Sequence, residues 1–307
     1  MSAYGIPYKG GKSRIVKWVV EALPPNEHFY DLFCGGCSVT HYGMVSRRWE
    51  QFNINDLNGM MPQMFVDAAH GKFVDERRWI SRDDFFRLKD SDGYAAVCFS
   101  FGNDLRSYAY APEVEIVKRA AHYAICFGDH RLLQDLWGYD FPEIEKNTKT
   151  YDRYITYKRL ALQMIARPDV HHLENLSRLL SLERLQSLQS LQSLQSLQSL
   201  QSCKGDYQDV KILPYSTVYC DIPYKGTNRY QKGGFDYDRF YEWADSRDYP
   251  VFISEYEMPK EFAPIAIRRH TSSLSCDHSP KVTTEKIFVQ RRYQQQYKRD
   301  LFIEEYA

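Results

Sequence analysis

The sequence predicts an α/β fold in which both ends of the chain supply strands to one mostly parallel sheet. HFYDLF at 28–33 is an apolar run that leads into a glycine turn, a helix is expected from Ser38, and QFNINDLN at 51–58 predicts a second strand. Such a β-α-β unit is typical of Rossmann-type sheets. After residue 206, runs rich in β-branched and aromatic residues return: STVYCDI, YPVFIS, IAIRRH and EKIFVQRR.

The middle of the chain has a different pattern. Amphipathic helical stretches at 113–127 and 151–166 lie among polar, aromatic-rich segments such as FSFGNDLRSYAYAP. Outside this region, a helix is also predicted at 14–22, before the first strand. We therefore interpret residues 59–205 as a mostly helical insertion, and residues 1–58 and 206–307 as one sheet domain.

A low-complexity segment closes the insertion. The triplet LQS occurs six times in succession over residues 185–202. A three-residue step advances about 300° around an α-helix, so the leucine stripe drifts by about 60° per step and does not hold one face. The pattern leaves open a wrapped helix, a small solenoid-like spiral and a mobile tether, and the perfect copies favour a tolerated spacer of adjustable length.

Composition sets broad limits on function. The 307 residues are 43% hydrophobic and 26% charged, which is ordinary for a soluble globular protein. No apolar run resembles a membrane span or a signal peptide, so a cytoplasmic location is expected. Forty basic and forty acidic residues cancel, which by itself argues against a nucleic-acid partner. Basic residues nevertheless concentrate in 1–20 and 268–300, and these segments would form one electropositive face if they met.

The cysteines predict neither disulfides nor a metal site. Seven cysteines are an odd number and are scattered through apolar contexts, as expected in a reducing compartment. Cys34 and Cys37 form a Cys-x-x-Cys pair, but there is no second pair and both lie within the glycine turn. A redox or zinc role is therefore the weaker alternative.

Two acidic residues frame a possible nucleotide-like ligand. In DLFCGGCSV, Asp31 ends a predicted strand and is followed by a glycine turn into a helix, where small residues let a ligand approach the backbone. Asp56 ends the next strand about twenty residues after that turn, where an acid commonly binds ribose hydroxyls. A helix N-cap is the structural alternative for Asp56.

The stretch VYCDIPYKG ends a predicted buried strand with a carboxylate. Asp221 and the backbone carbonyl of Ile222 offer two acceptors beside a turn stiffened by Pro223, and Tyr224 offers a flat ring. Two acceptors and a stacking face suit an exocyclic amine on a planar base. A simple turn or cap role for Asp221 is the structural alternative.

In this order, PYKGGK, DLFCGGCSV, IND and DIPY resemble the Dam-type DNA adenine methyltransferases of bacteria and phages. SEYEMPKEF and RRHTSSLSCDHSPKVTTEKIFV extend the resemblance, which covers residues 4–58 and about 206–290. The resemblance implies a Rossmann-like, seven-stranded S-adenosylmethionine-dependent methyltransferase sheet, with 59–205 as the target-recognition domain. It also implies transfer of a methyl group to N6 of an adenine flipped out of double-stranded DNA.

The resemblance further assigns residues to the cofactor. The implied S-adenosylmethionine-binding residues are Tyr8, Lys12, Asp31, Phe33, Gly35, Asp56, Asp206 and Tyr207. The first two would contact the methionine part, the next three would shape the pocket, Asp56 would hold the ribose, and the last two would border the adenine.

The target base and the DNA are assigned in the same way. Asp221, Ile222, Pro223 and Tyr224 would form the catalytic pocket. Candidate DNA contacts are Arg268 and Arg269 in the basic segment, and Asn103 and Arg106 in the polar, aromatic stretch of the insertion. Neither a metal nor a covalent enzyme intermediate is needed, and a monomer is expected. The loose match across the insertion does not transfer a recognition sequence.

Two departures from the family pattern keep alternatives open. Ile222 replaces the first proline of the usual Asp-Pro-Pro-Tyr, and Cys37 stands where the glycine turn usually ends in glycine. A catalytically impaired DNA-binding homologue is therefore one alternative. Methylation of the exocyclic N4 of cytosine is another.

Overall fold

The computed structural model describes residues 4–138, 140, 150–165, 180–194, 199–225, 234–272 and 281–298. Residues 273–280, in the middle of the segment RRHTSSLSCDHSPKVTTEKIFV, lie outside the described residues, and so does the glycine that follows Lys225. Among the described residues, no helix is both long and apolar enough to cross a membrane.

The described strands form one seven-stranded sheet, and the predicted fold class is confirmed. The strands are β1 (His28–Asp31), β2 (Gln51–Asp56), β3 (Ser199–Lys204), β4 (Ser216–Cys220), β5 (Val251–Glu255), β6 (Phe262–Ser272) and β7 (Lys281–Gln290). Their order is β3-β2-β1-β4-β5-β7-β6. Strands β1 to β5 pair in parallel, and β7 runs antiparallel to both β5 and β6.

Four of the eleven described helices were predicted from the sequence. They are α1 (Val16–Ala22), α2 (Ser38–Val45), α3 (Met60–Ala69), α4 (Arg82–Leu88), α5 (Gly93–Cys98), α6 (Pro112–Phe127), α7 (Arg131–Trp137), α8 (Thr150–Ile165), α9 (Leu180–Ser190), α10 (Tyr237–Ser246) and α11 (Gln294–Tyr297). The expected helices at 14–22, from Ser38, at 113–127 and at 151–166 correspond to α1, α2, α6 and α8.

The strand order places the ends of β1 and β4 side by side. Asp31 is in register with Tyr219, two positions before Asp221, and the strand numbering changes direction between β1 and β4. Open α/β sheets bind ligands at the carboxyl edge at such a switch point. The acids that end two sequence-predicted strands therefore reach the edge where a ligand site is expected.

The central strands are buried along their whole length. All four residues of β1 and all five of β5 are buried, as expected for parallel strands covered on both faces. Val218, Phe240 and Ile253 belong to a core cluster between the sheet and α10. This packed core fixes the backbone from which the loops at the carboxyl edge project.

The chain divides into two compact units with boundaries that differ from the sequence prediction. The helical unit comprises Pro7–Lys9 and the described part of Gly71–Ser190, whereas α3 and the described residues from Leu191 onward belong to the sheet unit. Within the helical unit, α6 begins with Pro112 and ends at Gly128, whose φ of 72° gives the left-handed cap that glycine favours.

The LQS segment does not form a single element. Its first copies end α9, the next form a 3-10 turn at Leu191–Leu194, and its last residues begin β3. Leu185, Leu188, Leu191 and Leu194 are buried, at 0–3% exposure. A 3-10 helix repeats every three residues, so it keeps the last two of these leucines on one face. This burial contradicts a mobile tether for the described copies, whereas tolerance of the repeat to a change in length stays a prediction.

Candidate active site

Asp221 lies immediately after β4, and Lys12 from the PYKGGK loop is its partner. The two side chains form an ion pair with a Lys12 Nζ to Asp221 Oδ1 distance of 2.7 Å, and their exposed fractions are 10% and 18%. The loop and the strand end, separated by more than 200 residues of sequence, thus meet at the carboxyl edge of the sheet.

Burial and charge set the protonation of this pair. Burial raises the pKa of Asp221 to about 6, although the ammonium of Lys12 acts in the opposite direction. Burial alone would lower the pKa of Lys12, but the carboxylates of Asp221 and Glu285 outweigh it and raise that pKa. At neutral pH, therefore, Lys12 is charged and Asp221 is ionised.

Tyr224 presents its ring beside this ion pair. Lys12 Nζ lies 4.4 Å from the centroid of the ring, and Tyr256 packs edge-on against it with centroids 4.7 Å apart. The Tyr224 hydroxyl donates a hydrogen bond to Glu285. Asp221, Lys12 and Tyr224, predicted separately from two motifs, are thus brought together.

The turn between Asp221 and Tyr224 is anchored despite its departure from the family pattern. The Ile222 side chain is 1% exposed and belongs to the core cluster. The Pro223 carbonyl accepts a hydrogen bond of 2.9 Å from the Tyr237 hydroxyl. Core burial of Ile222 supplies a restraint where the usual proline would restrict the backbone.

A further buried carboxylate holds the residues that follow the turn. Glu255, at the end of β5, is 1% exposed, and it accepts backbone hydrogen bonds from Lys225 at 3.0 Å and from Tyr256 at 2.7 Å. Burial raises the pKa of Glu255 to about 6. The end of β5 therefore fixes the far side of the turn.

The glycine turn after β1 is closed by Asp56. The Asp56 carboxylate accepts hydrogen bonds from the backbone N–H of Gly35 at 2.9 Å and of Asn58 at 2.8 Å. The predicted ribose residue thus lies against the predicted cofactor turn. Cys37, at the start of α2, has a φ of 57°. This is the left-handed region that glycine adopts most easily, so the backbone at this position suits the glycine of the family pattern.

Asp31 is buried at the end of β1. The Thr40 hydroxyl donates to Asp31 Oδ2 at 2.8 Å, whereas the buried Oδ1 has no hydrogen-bond partner among the described residues. Burial raises the pKa of Asp31 to about 7. A buried acceptor without a donor is costly, so this oxygen can receive a donor from a ligand.

An aromatic surface lies beside the same strand end. The rings of Phe33 and Tyr207 have centroids 5.2 Å apart, and Tyr207 is buried against Trp243. Asp206 forms an ion pair with Arg239 at 2.9 Å and accepts from the Gln208 backbone N–H at 3.0 Å. Phe33, Asp206 and Tyr207, which were assigned to the cofactor, therefore share one part of the sheet unit.

The PYKGGK loop is tied to the first turn of α2. His41 Nδ1 accepts the Gly5 N–H at 2.8 Å, and the Ser38 hydroxyl accepts the Lys12 N–H at 3.2 Å. Burial lowers the pKa of His41 to about 4, so it is a neutral acceptor near pH 7. A Cβ on Gly5, whose φ is 75°, would lie 2.4 Å from the Gly36 oxygen, so this close approach requires glycine.

The remaining predicted residues fall on other elements. Tyr8 groups with the helical unit, where the neighbouring Lys9 N–H donates to the Asn103 carbonyl at 3.2 Å. Asn103 has a φ of 58° and Arg106 is exposed in the same loop. Arg268 is half-buried and Arg269 exposed on β6. The described residues contain no group of three or more metal-ligating side chains.

Sequence reasoning missed Glu255, Glu285 and His41. Both glutamates lie in segments that carried the resemblance, but neither was given a role there, and they are buried at 1% and 2% exposure. A glutamate inside an apolar strand is the signal that could have found them, because buried acids are rare unless they have partners. His41 carried no comparable signal.

Comparison with known proteins completes the description of the site. Residues 8–95 match the family model described as D12 class N6 adenine-specific DNA methyltransferase. No curated protein sequence matches the chain. Two solved structures of the rRNA methyltransferase AviRa from Streptomyces viridochromogenes are similar at 10% identity and a TM-score of 0.32, covering 90% and 93% of this chain and 82% and 85% of theirs.

The fold conclusion depends on the observed strand order and not on these weak structural likenesses. The matched segment includes the loop of Lys12, the glycine turn and Asp56. These residues lie in three of the four motifs that carry the resemblance. Residues 8–95 are therefore similar to the D12 class of N6 adenine-specific DNA methyltransferases, and this likeness supports an adenine-specific methyltransferase.

Proposed function

We propose that the chain is a site-specific DNA methyltransferase that moves a methyl group from S-adenosylmethionine to the N6 amine of an adenine flipped out of the duplex. The observation that carries the proposal is the position of Asp221 and Tyr224. A half-buried carboxylate and an aromatic ring meet at the switch point of the sheet, beside the glycine turn of the matched segment.

Asp221 and the Ile222 carbonyl would accept the two hydrogens of the target amine. Accepting these hydrogens keeps the nitrogen lone pair available and stabilises positive charge that grows on the nitrogen in the transition state. Tyr224 would stack on the base, which replaces the stacking that the base loses on leaving the duplex. Asp221 does this best when ionised, which its pKa of about 6 permits near neutral pH.

The residues around the glycine turn fit the cofactor. When bound, S-adenosylmethionine supplies the methyl group as an electrophile. Asp31 Oδ1 offers a buried acceptor, Asp56 lies at the end of β2 where ribose hydroxyls are commonly held, and Phe33 and Tyr207 offer apolar faces. Gly35 lets a ligand approach the backbone, and Lys12 supplies a positive charge for a carboxylate.

The DNA would be held by basic and polar residues. Arg268 and Arg269 on β6, and Asn103 and Arg106 in the loop of the helical unit, are the candidates. The arginines would neutralise phosphates, and removing Arg268 and Arg269 together should lower the salt dependence of binding by about two counterions. Under this proposal, the helical insertion reads the recognition sequence, and the protein acts as a monomer.

The direct test is transfer of tritium from labelled S-adenosylmethionine to DNA from an unmethylated host. We expect N6-methyladenine in the digested product, formed far more slowly with Asp221→Asn. N4-methylcytosine would support the cytosine alternative, and DNA binding without transfer would support the impaired homologue. Sequencing the host DNA with modification-sensitive chemistry after expression would then give the recognition sequence.

A further inference from the structure

We propose that Glu285 is a positioning residue of the active site, which orients Tyr224 for the target base through the Tyr224 hydroxyl. Glu285 lies on β7, 61 residues after Tyr224 in the sequence, and belongs to none of the motifs of the matched domain. The inference rests on the proposed function, because it assigns a role within the same reaction.

Both partners of Glu285 are active-site groups. Its Oε1 accepts the hydrogen bond of the Tyr224 hydroxyl and lies 3.8 Å from Lys12 Nζ. Its side chain is 3% exposed. Burial, together with the charge of Glu285, holds the pKa of Tyr224 well above its ordinary value, so the hydroxyl stays protonated and remains a donor.

This hydrogen bond holds the hydroxyl end of the Tyr224 side chain. Tyr256 packs edge-on at 85° to the ring, and Lys12 Nζ lies over its face. A ring is a good stacking partner only when its plane is held parallel to the base. An acceptor at the hydroxyl fixes the position of the ring tip, and because a phenolic O–H prefers to lie in the ring plane, the acceptor also favours one orientation of that plane.

A purely structural role does not explain a carboxylate at this position. Removing a charge from water carries a large desolvation penalty, and well-packed apolar residues often stabilise a core as much as a buried ion pair does. Glu285 precedes Ile287 and Val289 on the same face of β7, and both of these residues are fully buried. Its charge is therefore better explained by the two functional groups that it contacts.

A double-mutant cycle tests whether Glu285 acts through the Tyr224 hydroxyl. Glu285→Leu removes the acceptor, and Tyr224→Phe removes the donor while keeping the ring. Each should lower kcat about 3- to 10-fold, the scale of one hydrogen bond, and the double variant should be no slower than the slower single variant. Glu285→Gln, whose amide oxygen still accepts, should recover part of the lost rate.

Glu255→Gln is the matched control. It makes the same chemical change in a second buried carboxylate near the turn, but Glu255 holds backbone N–H groups instead of the Tyr224 hydroxyl. Its effect on kcat should therefore multiply with that of Tyr224→Phe. S-adenosylmethionine affinity, measured by calorimetry, should stay near the parent value in the Glu285 variants, which separates base positioning from cofactor binding.

Two results would overturn the inference: a Glu285→Leu variant that methylates at the parent rate, or single-variant costs that multiply in the double variant. If Glu285→Leu prevents folding, the same cycle is measured with Glu285→Gln and Tyr224→Phe. Reductions in kcat that multiply in that double variant would also overturn the inference. Failure of the proposed function appears differently, since the parent protein itself would then place no methyl group on adenine.

Discussion

Lys12 Nζ lies 2.7 Å from Asp221 Oδ1 and 4.4 Å from the centroid of the Tyr224 ring. The ammonium therefore contacts both groups that we propose for the target adenine. An adenine amine and an ammonium are both donors that need the same carboxylate. Entry of the base would require Lys12 to share Asp221 or to leave it, and Glu285 at 3.8 Å offers Lys12 a second carboxylate.

The charge of Lys12 should set the acid limb of the pH–rate profile. Asp221 accepts the amine best when ionised, so activity is present above its pKa and is lost as the pH falls through it. That pKa is about 6, raised by burial and held down by Lys12. In Lys12→Met, the midpoint of the acid limb of kcat should therefore move to higher pH, in addition to any loss of rate.

Lys17→Met is the control for this shift, because Lys17 is 71% exposed and pairs with Glu21. Its acid limb should coincide with that of the parent protein. An acid limb that stays in place in Lys12→Met would show that Asp221 is not the group that titrates.

Asp221→Asn should separate binding from catalysis. The asparagine keeps the shape of the side chain but removes the charge that stabilises the transition state, so kcat should fall by a factor on the order of 100 to 1,000. S-adenosylmethionine affinity by calorimetry and the midpoint of thermal unfolding should remain near the parent values. A variant that methylates DNA at the parent rate would disprove the proposed role of Asp221.

Asp31→Asn should weaken cofactor binding and raise the free energy of unfolding. The folded-state pKa of Asp31 is raised from 3.8 to about 7 by burial, so the folded state binds the proton more tightly. Ionisation then costs folding stability as the pH rises between those values. The advantage of the asparagine variant in free energy of unfolding should grow by about 1–4 kcal/mol between pH 4 and pH 8.

Denaturant unfolding at the two pH values measures that change, and calorimetry should show weaker S-adenosylmethionine binding by the variant at pH 8. An equal free-energy difference at both pH values would mean that Asp31 is not buried as a charged group. Asp67→Asn provides a comparison, because Asp67 on α3 is only half-buried and accepts a hydrogen bond from Gln63 Nε2 at 2.9 Å.

The sequence predicted those candidate site residues that belong to local motifs. Asp221 with Tyr224, and Gly35 with Asp56, could be found because a strand end, a turn and a nearby acid are local patterns, and the strand rule brings such ends to one edge. Glu285 reaches Tyr224 only through the pairing of β7 with β5. That register depends on tertiary packing, which no local pattern specifies.

The LQS segment shows the same limit for the fold. Six strands were visible as apolar runs, but β3 lies partly in a repeat whose composition does not differ from that of α9. Leu188 in the helix and Leu200 in the strand occupy the same position in identical triplets. Pairing with β2, from Gln51 to Asp56, makes the last copy a strand, so tertiary contact overrides the local sequence.

The repeat supplies its own test of whether it is part of the core. Leu191 is 0% exposed and lies in the 3-10 turn that packs on α3, whereas the next residue, Gln192, is exposed. Leu191→Ala should lower the free energy of unfolding by about 2–4 kcal/mol, the cost of deleting a buried leucine side chain. Gln192→Ala should change it by less than about 0.5 kcal/mol, as for an ordinary surface position. The two residues share one turn of backbone, so any effect of the turn itself is common to both variants. If urea unfolding showed the same stability for both, the leucines would not support the core, and the segment would act as the adjustable spacer that its perfect copies suggest.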